Sequence, residues 1–151
     1  MTSLLNRRRI LQLGSGAVFI SAFPSHLSAE PDDMQAAIRE LFGDRNINQG
    51  KVGLKLPPIS ENGFSVPLTV QVESPMQSND YVKQIAVFSP RNPLPNLIRF
   101  QLSPSSGKAE VSCRVRLSGT QSVTAIAEMS DGSLWSGTAE TVVTLAACVI
   151  L

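Results

Sequence analysis

Apolar and polar residues alternate with a period of two along most of this chain, and that pattern confines it to an all-β architecture. A strand points successive side chains to opposite faces, so a half-buried strand reads apolar, polar, apolar. Phe64, Val66, Leu68, Val70 and Val72 share one face of a segment whose other face carries Ser65, Pro67, Thr69 and Gln71. Residues 110–117 alternate as cleanly, with Val111, Cys113, Val115 and Leu117 inward and Arg114 and Arg116 outward. Residues 51–56, 81–88, 97–102, 121–129 and 139 to about 147 complete the set. Turn formers separate the segments: Glu61-Asn62-Gly63, Ser89-Pro90-Arg91-Asn92-Pro93, Ser118-Gly119 and Ser130-Asp131-Gly132 among them. About seven short strands at this spacing predict an immunoglobulin-like β-sandwich. The Cys–Trp–Cys hallmark of antibody domains is absent. Pro67 has no N–H to give a ladder, so its strand is expected to meet an edge or a bulge there.

Two segments precede the sandwich. Met34, Ala37, Ile38, Leu41 and Phe42 recur at helical spacing, behind Pro31-Asp32-Asp33 and ahead of Gly43. Acids at the start, one apolar face and a closing glycine predict a short helix within 30–43. Farther upstream, Arg7-Arg8-Arg9 leads into an apolar run and then Leu27-Ser28-Ala29. A charged start, a short apolar region and a small-residue cleavage site read as a twin-arginine export signal over 1–29, with Arg7 and Arg8 as its motif. The apolar run is too short to span a membrane. The mature protein is therefore expected in the periplasm. The domain reading is a leader at 1–29, a helix at 30–43, a sandwich at 44–145 and an arm at 146–151.

Composition narrows the chemistry. Lys and Arg number 13 against 12 Asp and Glu, a balance with no basic field for nucleic-acid phosphates. The single histidine, His26, falls inside the leader. A mature chain without histidine has no Ser-His-Asp triad, no Cys-His pair and no His-ligated metal. Two cysteines are too few for a zinc ribbon. A binding or carrier module, with no cofactor and no metal, fits better than an enzyme. Arg114 and Arg116 face either solvent or an anionic partner.

The two thiols read differently. Cys113 occupies an inward strand position and behaves as a small hydrophobe. Cys148 follows the last strand, and thiols of exported proteins usually pair or react. It is an exposed working thiol, a residue buried at a strand end, or half of a Cys113–Cys148 disulfide. Cys148-Val149-Ile150-Leu151 also fits the C-a-a-X form, but prenylation is cytosolic and conflicts with an export leader.

Several segments, in order, resemble one family. Asn62-Gly63-Phe64-Ser65-Val66-Pro67, Ser74-Pro75-Met76, Asp80-Tyr81-Val82, Asn92-Pro93, Arg114-Val115-Arg116-Leu117 and Ser130-Asp131-Gly132 are similar to the SoxY family. These are the sulfur-carrier subunits of the bacterial thiosulfate-oxidising (Sox) system. The similarity extends from about Asp32 to Cys148. It implies an immunoglobulin-like fold, a heterodimer with a SoxZ-like subunit, and a cysteine on a C-terminal arm that covalently holds sulfur intermediates. The arm presents them to cytochrome, hydrolase and sulfur-dehydrogenase components. Cys148 alone matches the carrier position, and no role transfers to Cys113.

The arm departs from the family. Where the family ends Gly-Gly-Cys-Gly-Gly, this chain reads Ala146-Ala147-Cys148-Val149-Ile150-Leu151. Glycine makes an arm slender and mobile. Val149 and Ile150 are branched and β-prone, and would extend the last strand or dock on apolar surface. Two functions stay in view: a periplasmic sulfur carrier acted on by partner enzymes, and a structural or interaction subunit whose Cys148 carries nothing.

Overall fold

The computed structural model describes residues 31–147. One helix, α1 (Pro31–Phe42), precedes nine strands: β1 (Ile47–Gln49), β2 (Val52–Lys55), β3 (Ile59–Ser60), β4 (Val66–Val72), β5 (Val82–Phe88), β6 (Asn96–Gln101), β7 (Glu110–Val115), β8 (Gln121–Met129) and β9 (Leu134–Val143). The expected helix and the seven expected strands all form. The leader, with Arg7, Arg8 and His26, lies outside the described residues.

The strands make two sheets. The larger runs β1-β9-β8-β5-β6, with β3 also pairing to β9; the smaller runs β2-β4-β7. Between them lies the main core, including Val66, Leu68, Val70, Ile85, Val87, Leu117, Val123 and Ala125, all 1% exposed or less. The alternation in β4 and β8 is the cause, since every second side chain of each strand points into this layer.

The larger sheet is buried on its other face as well. Ala86, Phe88, Ile126 and Leu134 pack against Ile38 and Phe42 of α1. This explains why β5 reads as a nearly continuous apolar run, Ile85-Ala86-Val87-Phe88: it is covered on both sides. The Phe42 and Phe88 rings meet edge to face, 6.4 Å between centroids. Gly43 closes the helix at φ +70, its N–H donating to the Arg39 carbonyl at 2.8 Å.

Three details differ from the sequence expectation. Strands β1 and β3 are additional, and both run parallel to β9. They have three and two residues, too short to show an alternation. Strand β9 starts at Leu134 rather than at residue 139 and ends at Val143 rather than near 147. Ser130–Ser133 forms a tight hairpin, with Gly132 at φ +86, so pairing with β8 resumes at Leu134 opposite Glu128. Pro67 meets its constraint: β2 covers β4 only from Thr69 to Val72, so Pro67 is paired on the β7 side alone.

Candidate functional site

Cys148, the residue expected to do chemistry, lies outside the described residues. Its attachment point, Ala147, lies within them, and the site is the seat from which Cys148 departs. From the end of β9 onward the chain is held step by step. The Val142 N–H donates to the Pro58 carbonyl at 2.9 Å, and the Thr144 N–H to the Ser60 carbonyl at 3.0 Å. The Gly63 N–H donates to the Leu145 carbonyl at 2.9 Å, and the Ala147 N–H to the Leu117 carbonyl at 3.3 Å. The Leu117 N–H donates to the Gly63 carbonyl at 2.8 Å, which ties the two seats together. The backbone therefore crosses the end of the sandwich from β9 toward β7. The sandwich holds it two residues beyond 145, and Ala147 is 2% exposed.

Gly63 is the residue that permits this crossing. A Cβ there would collide with the Leu117 carbonyl and stand 2.8 Å from the Ala147 nitrogen and 3.0 Å from Val143 Cγ1. Only glycine lets the three backbones approach this closely. The Asn62 side chain caps the turn by accepting from the Phe64 N–H at 2.8 Å. Thr120 bonds the end of β9 from the other side, accepting from the Val143 N–H at 3.0 Å.

A buried polar knot holds Leu117 in place. Asn92 donates from Nδ2 to the Arg116 carbonyl at 2.8 Å and accepts from the Ser118 N–H at 3.1 Å. It also accepts from Gln121 Nε2 at 3.2 Å. Ser89 Oγ lies 2.5 Å from Gln121 Oε1 and donates to it. Ser89, Asn92 and Gln121 are 0%, 6% and 7% exposed, so each needs the others to satisfy its polar atoms. The sequence shows Asn92 and Asn62-Gly63 only as turn formers. Their shared task is visible only when Leu117, Asn92, Gly63 and Ala147 are seen in one place.

Apolar side chains gather at this end. Ile59, Phe64, Leu94, Val142 and Leu145 are the large hydrophobics that remain exposed among the described residues. Each lies on a segment that forms or adjoins the arm's seat. Ile59 and Val142 are direct partners in the β3–β9 ladder. Arg116 is poised over Phe64, its Cζ 5.8 Å from the ring centroid. Arg114 donates from Nε to Ser65 Oγ at 2.7 Å and from Nη2 to the Ser65 carbonyl at 3.0 Å.

Cys113 sits elsewhere. It is opposite Leu68 in the β4–β7 ladder and packs against the main core, free and half-buried. Burial pushes its thiol above the ordinary range. Leu117 lies four positions farther along the chain, past the end of β7 at Val115, a step of roughly 13 Å when extended. The proposed disulfide to Cys148 involves a residue outside the described ones. At the far end of the sandwich, the Ser133 hydroxyl and N–H hold Asp131 below the usual carboxylate range, and the Ser130 N–H donates to the Tyr81 carbonyl at 2.8 Å. The segments that carry the resemblance thus divide between the two ends. Asn62-Gly63, Asn92 and Leu117 meet at the arm's seat; Tyr81 and Ser130-Asp131-Gly132 meet opposite. Among the described residues no group of three or more His, Cys, Asp or Glu is placed to hold a metal ion. No described helix is long and apolar enough to cross a membrane.

Comparison with known proteins bears on this geometry. The model of the family described as sulfur oxidation protein SoxY matches residues 38–148, a span that includes Cys148. Among solved structures, the sulfur carrier protein SoxY from Chlorobium limicola f thiosulfatophilum is 30% identical. The match covers 76% of this chain and 98% of that one, with a TM-score of 0.64. The superoxide reductase (neelaredoxin) from Ignicoccus hospitalis aligns over 78% of this chain and 95% of its own at 18% identity, TM-score 0.55. That from Nanoarchaeum equitans aligns over 63% and 99% at 12% identity, TM-score 0.53. At such identities the two reductases share the sandwich fold and nothing more. No curated protein matches the chain.

Proposed function

The chain belongs to the SoxY family of sulfur oxidation proteins, and on that premise we propose that it is a sulfur carrier of a thiosulfate-oxidising system, with Cys148 as the point of covalent attachment. One observation carries the reading to this chain's own residues: the backbone that leads to Cys148 is held on the sandwich at Thr144, Leu145 and Ala147, so the thiol is tethered to a fixed base. A carrier needs such a base. The thiol must enter partner sites while the body that partners recognise stays still.

The chemistry asked of Cys148 is a two-electron coupling. A thiol and a thiosulfate dianion join through a new S–S bond, leaving Cys148–S–S–SO3⁻, one proton and two electrons. The electrons pass to a cytochrome partner. Attack by a partner's nucleophile on the sulfur bonded to Cys148 later moves the –S–SO3⁻ group onto that nucleophile and expels the Cys148 thiolate, so the carrier is not consumed. An ordinary thiol is only a few per cent thiolate at neutral pH, given a pKa of about 8.5. Activation therefore falls to the partner enzymes, and the protein itself is a carrier rather than a catalyst. The same reading places the mature chain in the periplasm after loss of a twin-arginine leader bearing Arg7 and Arg8. It pairs the chain with a SoxZ-like subunit and presents the loaded arm to cytochrome, hydrolase and sulfur-dehydrogenase components.

A second reading draws on the same seat. Ala147 is buried where a glycine arm would be looser, and Val149-Ile150-Leu151 is apolar. If those residues keep Cys148 against the body, the chain is an interaction subunit. Maleimide labelling separates the two. A carrier thiol reacts in the folded protein well before Cys113, whose thiol is partly buried and pushed above the ordinary range by that burial. Protein isolated from cells growing on thiosulfate should carry sulfur adducts on Cys148 by mass spectrometry. Cys148→Ser should abolish them and Cys113→Ser should keep them. Adduct-free Cys148 that labels only after denaturation would establish the interaction subunit instead.

A further inference from the structure

The smaller sheet ends on an open edge. Its order is β2-β4-β7, and among the described residues no strand pairs with the outer side of β7. Open edges invite other strands, and proteins blunt them by shortness, bulges, proline or lysine. The other edges carry such devices. Strand β2 has four residues, including Gly53 and Lys55, and β1 has three. The pairing of β6 with β5 shifts register between Val87 and Phe88. Strand β7, Glu110–Val115, has six residues, no proline or lysine, and an unbroken register against β4.

The pairing with β4 fixes which residues of that edge bond outward. The Val72 N–H donates to the Ala109 carbonyl at 2.8 Å, one step beyond the pair Gln71–Glu110. In an antiparallel ladder, alternate residues bond to each neighbour. Val111, Cys113 and Val115 therefore share the phase of Ala109 and bond toward β4. Glu110, Ser112 and Arg114 point their N–H and carbonyl groups outward. Pro67 agrees with this phase, since it stands opposite Arg114, where the ladder asks β4 for no N–H.

The charges of this edge are self-complementary. Glu110 and Arg114 stand at equal distances on either side of Ser112, and all three side chains are exposed. A second copy turned about a two-fold axis at Ser112 sets Glu110 of each chain against Arg114 of the other. On the inner face it sets Val111 against Cys113. Every outward-bonding residue then meets another, for about six main-chain hydrogen bonds. Opposite charges directly across a ladder stabilise it, and like charges destabilise it. Both side chains keep a group for the purpose. Glu110 accepts from Gln71 at Oε2, and Arg114 bonds Ser65 through Nε and Nη2, which leaves Oε1 and Nη1.

We propose that β7 is a self-association edge whose partner is a second copy of this chain, paired antiparallel about Ser112. The two smaller sheets then join into one continuous sheet. Only two short strands are shared, so the dimer is weak and reversible. Leu117 follows the axis along each chain, so the two arm seats lie on opposite sides of it. The proposal does not depend on the carrier reading.

Sedimentation velocity over a range of concentrations tests this. Cys148→Ser serves as the background, so that no disulfide through the arm links two chains. The expected result is a reversible rise in mass toward twice that of the monomer. Glu110→Arg and Arg114→Glu should each weaken association about tenfold or more, because attraction becomes repulsion at both symmetry-related pairs. An equal mixture of the two variants should associate again, since each chain then meets the opposite charge. Ser112→Pro should abolish the dimer and leave thermal unfolding close to that of the parent, because the N–H it removes faces away from β4. A chain that stays monomeric at millimolar concentration overturns the proposal. So does association indifferent to these substitutions, or a mixture that associates no better than its components. Pairing through the same charges that occurs only with a SoxZ-like subunit would assign the edge to the heterodimer and overturn it as well.

Discussion

Gly63 shows how much a missing side chain can organise. Its N–H takes the Leu145 carbonyl, its carbonyl takes the Leu117 N–H, and no atom stands between it and Ala147. Gly63→Ala should therefore cost about 1–3 kcal/mol, the usual range for forcing atoms into a packed site. Urea denaturation would measure that loss. The more telling readout is local: amide exchange at Leu117 and Ala147 should rise more than exchange in β5 or β8, because the seat loosens before the core does. Uniform exchange across the molecule would mean that Gly63 is ordinary packing and not the clamp of the arm. In the sequence this residue belongs to an Asn-Gly pair that reads as a hairpin turn. The turn is real, but nothing local announces that a chain segment more than 80 residues later lies against it.

At the level of elements, the helix is the clearest case of pattern becoming packing. The i, i+3, i+4 spacing identifies Ile38 and Phe42 as the buried face, and they are 6% and 2% exposed. Their target was less evident. The run Ile85-Ala86-Val87-Phe88 is consistent with a strand covered on both faces, and α1 supplies the second cover over Phe88. Phe42→Ala should cost about 3–5 kcal/mol by the usual measure for a buried ring. Thermal or urea unfolding gives the number. Near-neutral behaviour would show that α1 rests on the sheet without contributing to the fold. Strands β1 and β3 make the opposite point. With three and two residues they carry no periodic signal, and they exist because β9 offers them an edge.

For the whole molecule, polarity of the two ends is the main result. One end holds the arm's seat, Arg114 and Arg116, and the exposed Ile59, Phe64, Leu94, Val142 and Leu145. The other holds the hydrogen-bonded turn around Ser130 and Asp131. Strand β8, nine residues long, separates them by roughly 27 Å. These exposed apolar residues are the surface on which the proposed partner contact is to be tested. Co-expression with a SoxZ-like subunit should yield a stable one-to-one complex on size-exclusion chromatography. A monodisperse monomer beside that subunit would argue against the heterodimer. Recovery of the pair from the periplasm, with Arg7→Lys and Arg8→Lys together blocking export, would test the leader in the same strain.

The sequence by itself determined the all-β class, the helix and its buried face, seven of the nine strands, the inward direction of Cys113 and the likeness to the SoxY family. These rest on local periodicity or on residue order, which a linear chain displays directly. Only the tertiary structure decided that β9 begins at Leu134, that β1 and β3 join it in parallel, and that Gly63, Asn92, Leu117 and Ala147 form one seat. The start of β9 follows from the tightness of the hairpin at Ser130–Ser133, and the other two depend on hydrogen bonds between residues far apart in the chain, such as Ala147 to Leu117 and Thr144 to Ser60. A backbone donor looks the same in every residue but proline, so its partner is chosen by where the folded sheets bring the chain, and no side-chain pattern records that choice.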